Sequence, residues 1–228
     1  MQTKGKFDVK MIAVLAMLGA MAYGAMFVFK IPLVPAAPWL KYDPQAVLIL
    51  IGGLIYGPVS ALILSLTVAF AEMVTVSESG WWGLLMNAFS SAAFACTAAF
   101  IYKHKRTLPG AVMGVVAGWL FVTAAMLPMN YFITPLYRGV SHEVVAGMLV
   151  PMILPFNLIK YGFNAAMAMF LYKPLSAALR KLKVLPAVGE GKTSFGSNLI
   201  AGAVLAACVA VIPAVLYLLL KFGVIGGK

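Results

Sequence analysis

Apolar residues in this chain run in long blocks. They show neither the alternation of a half-buried strand nor the narrow stripe of a surface helix, and polar residues collect between the blocks. Seven hydrophobic segments stand out, near 11–29, 45–57, 58–76, 81–102, 109–133, 145–172 and 198–220. A helix needs about 20 apolar residues to cross a bilayer, and a spanning segment must satisfy its own backbone there. The pattern therefore predicts an all-α polytopic membrane protein. Segment 45–57 is short for a span and ends at Gly57-Pro58, which forces a tight turn directly into the next segment. Its shortness leaves room for the preceding loop, 30–44, to dip inward. The first segment is long enough to span and lacks a small-residue cleavage site, so it is read as a retained helix.

Composition supports this picture. The chain has 228 residues, 63% hydrophobic and only 10% charged, where a soluble domain carries about 25% charge. Too little polar sequence remains for a separate soluble domain. The net charge of +11 is distributed in a way that needs no nucleic acid. With the N-terminus inside, eleven cations fall on the cytoplasmic side: Lys4, Lys6, Lys10, Lys103, Lys105, Arg106, Lys173, Arg180, Lys181, Lys183 and Lys192. Lys30, Lys41, Arg138, Lys221 and Lys228 fall outside. The positive-inside rule sets the orientation, and anionic lipid is the expected partner of the basic loops.

One cation does not fit a loop. Lys160 lies in the middle of the sixth segment, in Pro155-Phe156-Asn157-Leu158-Ile159-Lys160. A charge at bilayer depth costs at least about 2.5 to 3.5 kcal/mol, so it faces a polar cavity or a partner. Asn157, Lys160 and Asn164 are spaced i, i+3, i+7 and share one helix face. The alternative is a lysine that snorkels or pairs for stability, but long apolar flanks make snorkelling hard. A ligand site on this helix is the expectation.

Loop 30–44 holds four prolines together with Trp39, Lys41, Tyr42 and Asp43. It reads as a stiff lid, or else as an interfacial aromatic belt ahead of a helix-starting Asp-Pro. Glu72 sits in the outer half of the third segment, either pairing with Lys160 or lining a cavity, or at the outer interface. Asn87 and Asn130 are further polar points, Asn130 being followed by the loop Thr134-Pro135-Leu136-Tyr137. In the first segment Ala16, Ala20 and Gly24 form a small-xxx-small strip that lets another helix approach closely. Stretch 173–197 is basic and contains Gly and Ser. Its Gly191-Lys192-Thr193 superficially resembles a phosphate loop, but Pro186 stands where the first glycine belongs and no strand precedes it. His104 and His142 lie in loops without companions for a metal, and Cys96 and Cys208 read as small hydrophobes.

Taken in order, several pieces form a recognisable set: the small-residue strip, Trp39-Leu40-Lys41-Tyr42-Asp43-Pro44, Gly52-Gly53-Leu54-Ile55-Tyr56-Gly57-Pro58, Asn130-Tyr131, and Pro155 to Lys160. Together they resemble the substrate-binding S component of an energy-coupling factor (ECF) vitamin transporter, closest to the riboflavin-specific type. The resemblance covers roughly residues 8–180 and implies a six-helix bundle in a prokaryotic cell membrane. It implies a riboflavin site made by Leu40, Lys41, Tyr42, Asp43, Asn130, Asn157 and Lys160, to which the stacking surface of Trp39 and the shared helix face of Asn164 are added, with riboflavin as cargo and no cofactor. It also implies docking of a transmembrane coupling protein on Ala16 and Ala20, with Gly24 continuing the strip, and two partner ATPases supplying energy. Residues 1–180 are then the substrate-binding domain, 181–197 a basic linker and 198–228 an extra C-terminal transmembrane helix. After Pro44 the sequence departs from the riboflavin type at Gln45-Ala46-Val47-Leu48, and Glu72 stands near the place of a usual third-helix lysine. A different flavin-like or heteroaromatic vitamin is the alternative cargo. A membrane enzyme would need a nucleophile–base or carboxylate–histidine cluster at a common depth. A secondary transporter would show inverted repeats. Neither pattern is present in the sequence.

Overall fold

The structure, a computed structural model, describes residues 8–34 and 37–181. Its elements in chain order are α1 (Val9–Val28), β1 (Ile31–Pro32), β2 (Lys41–Tyr42), α2 (Gln45–Tyr56), α3 (Pro58–Thr75), α4 (Gly80–His104), α5 (Leu108–Arg138), α6 (His142–Met148), a π-helical turn (Leu149–Ile153) and α7 (Leu154–Lys181). Among the described residues, α1, α3, α4, α5 and the combined stretch His142–Tyr172 are long and apolar enough to cross a membrane; α2 is apolar but shorter. The expected linker 181–197 and the expected helix 198–220 lie beyond the described residues, apart from Lys181 at the end of α7.

α2 is the centre of the bundle. Every residue from Gln45 to Leu54 is buried, because α1, α3, α4 and α7 all pack against it. Its 12 residues reach about 18 Å at 1.5 Å per residue, well short of a bilayer. Close packing depends on glycines. A Cβ on Gly53 would stand 2.9 Å from the Cβ of Ala61 and 3.2 Å from that of Ala99. On α5, a Cβ on Gly114 or Gly118 would lie 2.6 or 2.5 Å from the carbonyl oxygens of Ala98 and Phe94 on α4. Small residues thus let backbones meet where no hydrophobic effect distinguishes lipid from protein. Gly57 turns the chain from α2 into α3 at φ 102°, and Pro58 opens the new helix. Phe27, Phe70, Leu120 and Phe170 point outward, as lipid-facing positions do.

Two expectations about boundaries need correction. The fifth helix does not stop near residue 133: Thr134-Pro135-Leu136-Tyr137 is helical, and α5 ends at Gly139 with φ 65°. Pro135 cannot donate to the Tyr131 carbonyl one turn back. His142 Nδ1, 3.1 Å away, donates to that oxygen instead, so the helix survives its proline. The expected segment 145–172 is likewise three elements, since the chain passes through a π turn containing Pro151 before α7 begins. α7 then continues to Lys181.

Candidate functional site

The ends of α3 and α5, the starts of α4 and α7 and the chain between α1 and α2 surround a cavity of about 190 Å³. The stretches 29–34 and 37–44, between α1 and α2, cover one side of it. There β1 and β2 pair antiparallel, Ile31 opposite Tyr42 and Pro32 opposite Lys41. Val34, Ala37 and Leu40 seat this hairpin on Val145, Ile153 and Phe156. The sequence expectation of a loop dipping beside a short helix describes this arrangement.

Lys160 projects from α7 into the wall beneath the loop. Its Nζ lies 2.7 Å from Asp43 Oδ2, and both side chains are almost fully buried. Asp43 stands just before the start of α2, whose free N–H groups and dipole favour a carboxylate there. Asn164, fully buried one turn below Lys160, donates from Nδ2 to the Asp43 backbone oxygen at 3.3 Å. The other carboxylate oxygen, Asp43 Oδ1, is buried and has no hydrogen-bond partner, and the same holds for Asn164 Oδ1. Leaving a buried acceptor unbonded costs about 1 to 3 kcal/mol, more when it is charged. Asp43 lines the cavity, where a guest's N–H or O–H would end that deficit.

Two carboxamides complete this wall. Asn130 donates to the Met126 carbonyl at 2.8 Å and accepts from Thr134 at 3.1 Å. Asn157 donates to the carbonyl of Ile153, the last residue of the π turn, at 2.8 Å. Each therefore spends its amide on its own helix and keeps oxygen capacity for the cavity.

Around the rim, Trp39 lies under the guanidinium of Arg138, 4.1 Å from ring centre. Lys41 meets Glu78 at 2.5 Å, and this ammonium holds the Glu78 carboxyl below its ordinary pKa. Tyr42 faces away from the cavity. It packs edge-on against Phe163 and donates to Met167 Sδ at 3.4 Å. Burial first, then Asp43 beside it, pushes its phenol up to about 12, so it stays a donor.

Of the nine expected site residues, Trp39, Leu40, Lys41, Asp43, Asn130, Asn157 and Lys160 line the cavity. Tyr42 and Asn164 do not; they support the loop and Asp43 from behind. Glu72 is 4% exposed and lines the cavity, where it pairs with Lys30 at 2.8 Å, not with Lys160. Sequence reasoning missed the contribution of Lys30, Glu78, Trp82, Arg138 and Tyr161. Lys30 and Arg138 were readable only as outer cations. That Lys41 needed an anion was a signal for the Ser77-Glu78-Ser79 loop.

A second hollow lies on the outside, a groove of about 710 Å³ between α1 and α3. Ala16 and Ala20 are exposed along it and Gly19 is half-buried, beside Leu64, Thr67 and Val68, whereas Gly24 lies outside it.

Residues 10–172 match the family described as "ECF transporter, substrate-specific component". The chain belongs to this family. The riboflavin transporter RibU of Streptococcus thermophilus is 29% identical over 185 residues, spanning 77% of this chain and 87% of that one. RibU of Staphylococcus aureus is 28% identical, over 76% of this chain and 94% of its own. The riboflavin transporter FmnP of Bacillus subtilis is 29% identical, over 67% and 84%. A solved structure described as the S component of a bacterial ECF transporter superposes with TM-score 0.64 at 29% identity, covering 75% of this chain and 98% of its own. The S-component fold expected from the sequence is therefore the fold of this chain.

Proposed function

We propose that this ECF substrate-specific component binds riboflavin in the cavity beneath loop 29–44 and hands it to an energised complex of one membrane coupling protein and two ATPases. The observation that carries the ligand site is the half-satisfied carboxylate of Asp43, buried against Lys160 at the cavity wall. A flavin brings matching chemistry. Its ring is flat and largely apolar, which suits Trp39, Phe156 and Met126, while ring carbonyls accept from Lys160 and a ring N–H or ribityl O–H donates to Asp43 Oδ1 or Asn157. The relatives bearing the name riboflavin transporter support this choice of cargo.

Ligand pockets span about 300–1,000 Å³, so a cavity of 190 Å³ has to widen for a flavin. The rim gives way most readily, where Lys41 parts from Glu78 and Trp39 from Arg138 while the buried Lys160–Asp43 pair stays. Basic side chains cluster at the opposite end of the bundle, at Lys103, Lys105 and Arg106. That bias supports a multi-pass protein of a prokaryotic cell membrane with a cytoplasmic N-terminus and the cavity facing out. Ala16 and Ala20 are the docking positions for the coupling protein, because their groove is exposed, apolar and lined by small side chains.

Purified protein titrated into riboflavin quenches flavin fluorescence if this reading is right. A preparation that leaves riboflavin fluorescence untouched while a different molecule co-purifies by mass spectrometry overturns it. Ala16→Trp abolishes uptake in cells while the purified variant still quenches; equal loss of both would make the groove a support of the fold.

A further inference from the structure

Glu72 is the second carboxylate of the cavity wall, and both of its oxygens are bonded. Lys30 Nζ donates to Oε1 at 2.8 Å, and Asn87 Nδ2 donates to Oε2 at 2.6 Å. Three elements meet on this one group: the chain just beyond α1, the end of α3, and α4. Lys30, Glu72 and Asn87 all line the cavity. A neighbouring tie, Tyr23 Oη to Thr75 Oγ1 at 2.9 Å, holds α1 and α3 together beside it. Because Asn87 spends its amide on Glu72, its Oδ1 remains for a guest, and Lys30 keeps two further protons to donate. An acceptor and a multiple donor side by side, with their charge already neutralised, fit vicinal hydroxyl groups. They fit an aromatic ring poorly.

We propose that Glu72 is a positioning residue for the hydroxylated part of the ligand. It holds Lys30 and Asn87 in the wall, and those two side chains make the contact. The inference rests on the ligand-site reading above and adds a division of labour to it: the α5–α7 side takes the ring, the α3–α4 side takes the polyol chain. Without the carboxylate, Lys30, whose side chain is 24% exposed, swings to water, and Asn87 loses the acceptor that orients it.

The test compares riboflavin with lumiflavin, which keeps the ring and lacks the polyol. Glu72→Gln weakens riboflavin binding about tenfold, the worth of one or two such hydrogen bonds, and leaves lumiflavin affinity unchanged. Lys30→Met does the same, and the double variant is no worse than the weaker single one, since the two act as one unit. Equal losses for both ligands, or independent additive losses, overturn the assignment. Should the unmodified protein bind neither flavin, the riboflavin reading fails, and the positioning role is read without a ligand. Spin labels at Val28→Cys and Val74→Cys, both exposed, report the α1–α3 spacing in a chain whose Cys96 and Cys208 are alanine. Glu72→Gln broadens that distance distribution; an unchanged spectrum refutes the role of the carboxylate.

Discussion

Two walls of the cavity are each built round a buried carboxylate, and they are finished differently. At Glu72 both oxygens are bonded by the protein itself, from Lys30 and Asn87. At Asp43 one oxygen is bonded by Lys160 and the other has no partner. A closed set of bonds holds its own geometry whether or not a guest is present. An open one has room for a proton that a guest brings, and the difference separates a carboxylate that positions its neighbours from one that can take the guest itself.

The comparison breaks first at Lys160. Removing one member of a buried ion pair strands the other, at about 3 to 5 kcal/mol of stability. Lys160→Met should therefore lower the unfolding temperature in detergent and cut riboflavin affinity at least tenfold, read by fluorescence quenching. Combining it with Asp43→Leu should return much of the stability and none of the binding. Recovery of binding in the double variant would mean that the pair serves the fold alone. Asn157→Leu comes next. It removes one cavity-facing acceptor and the bond to the Ile153 carbonyl, and a loss of about 1 to 2 kcal/mol in binding is expected by calorimetry.

Smaller effects sharpen the contrast between wall and rim. Arg138→Gln removes the cation over Trp39, worth about 0.5 to 1 kcal/mol at an exposed site. It should speed riboflavin release by severalfold in stopped flow while the binding enthalpy holds. Glu78→Gln is smaller still, changing release by about threefold or less, because exposed pairs are screened. The sign with pH is fixed: the folded-state pKa of Glu78 is depressed by Lys41. The tie is complete above the ordinary carboxylate pKa and is lost as pH falls through the lowered one. Release that slows on acidification would contradict it.

Much of this was legible in the chain. Blocks of apolar residues gave the spans, the Gly57-Pro58 turn gave a short second helix, and an i, i+3, i+7 set placed Asn157, Lys160 and Asn164 on one face. What could not be read were pairings across more than a hundred residues, such as Lys160 with Asp43, since a helix face says nothing of its neighbour. Asn164 illustrates the limit: it shares that face, yet packing directs its amide to the Asp43 backbone, behind the cavity. Pro135 misled because its cost as a helix breaker is set by what covers the freed carbonyl, and His142 comes from a different element. The assignment of Glu72 to Lys30 also needed coordinates, because Lys30 lies outside any helix.

α2 spans little more than half the thickness of a bilayer core. Its buried apolar body closes the lower part of the bundle directly beneath Asp43, so the hollow is a cup and not a conduit. Leu48, Ile49, Leu50 and Ile51 fill the space below with apolar side chains packed against α1, α3, α4 and α7. A helix of this length leaves nearly half the depth of the bundle to the cup above it, so the vessel's capacity is set by how early α2 begins.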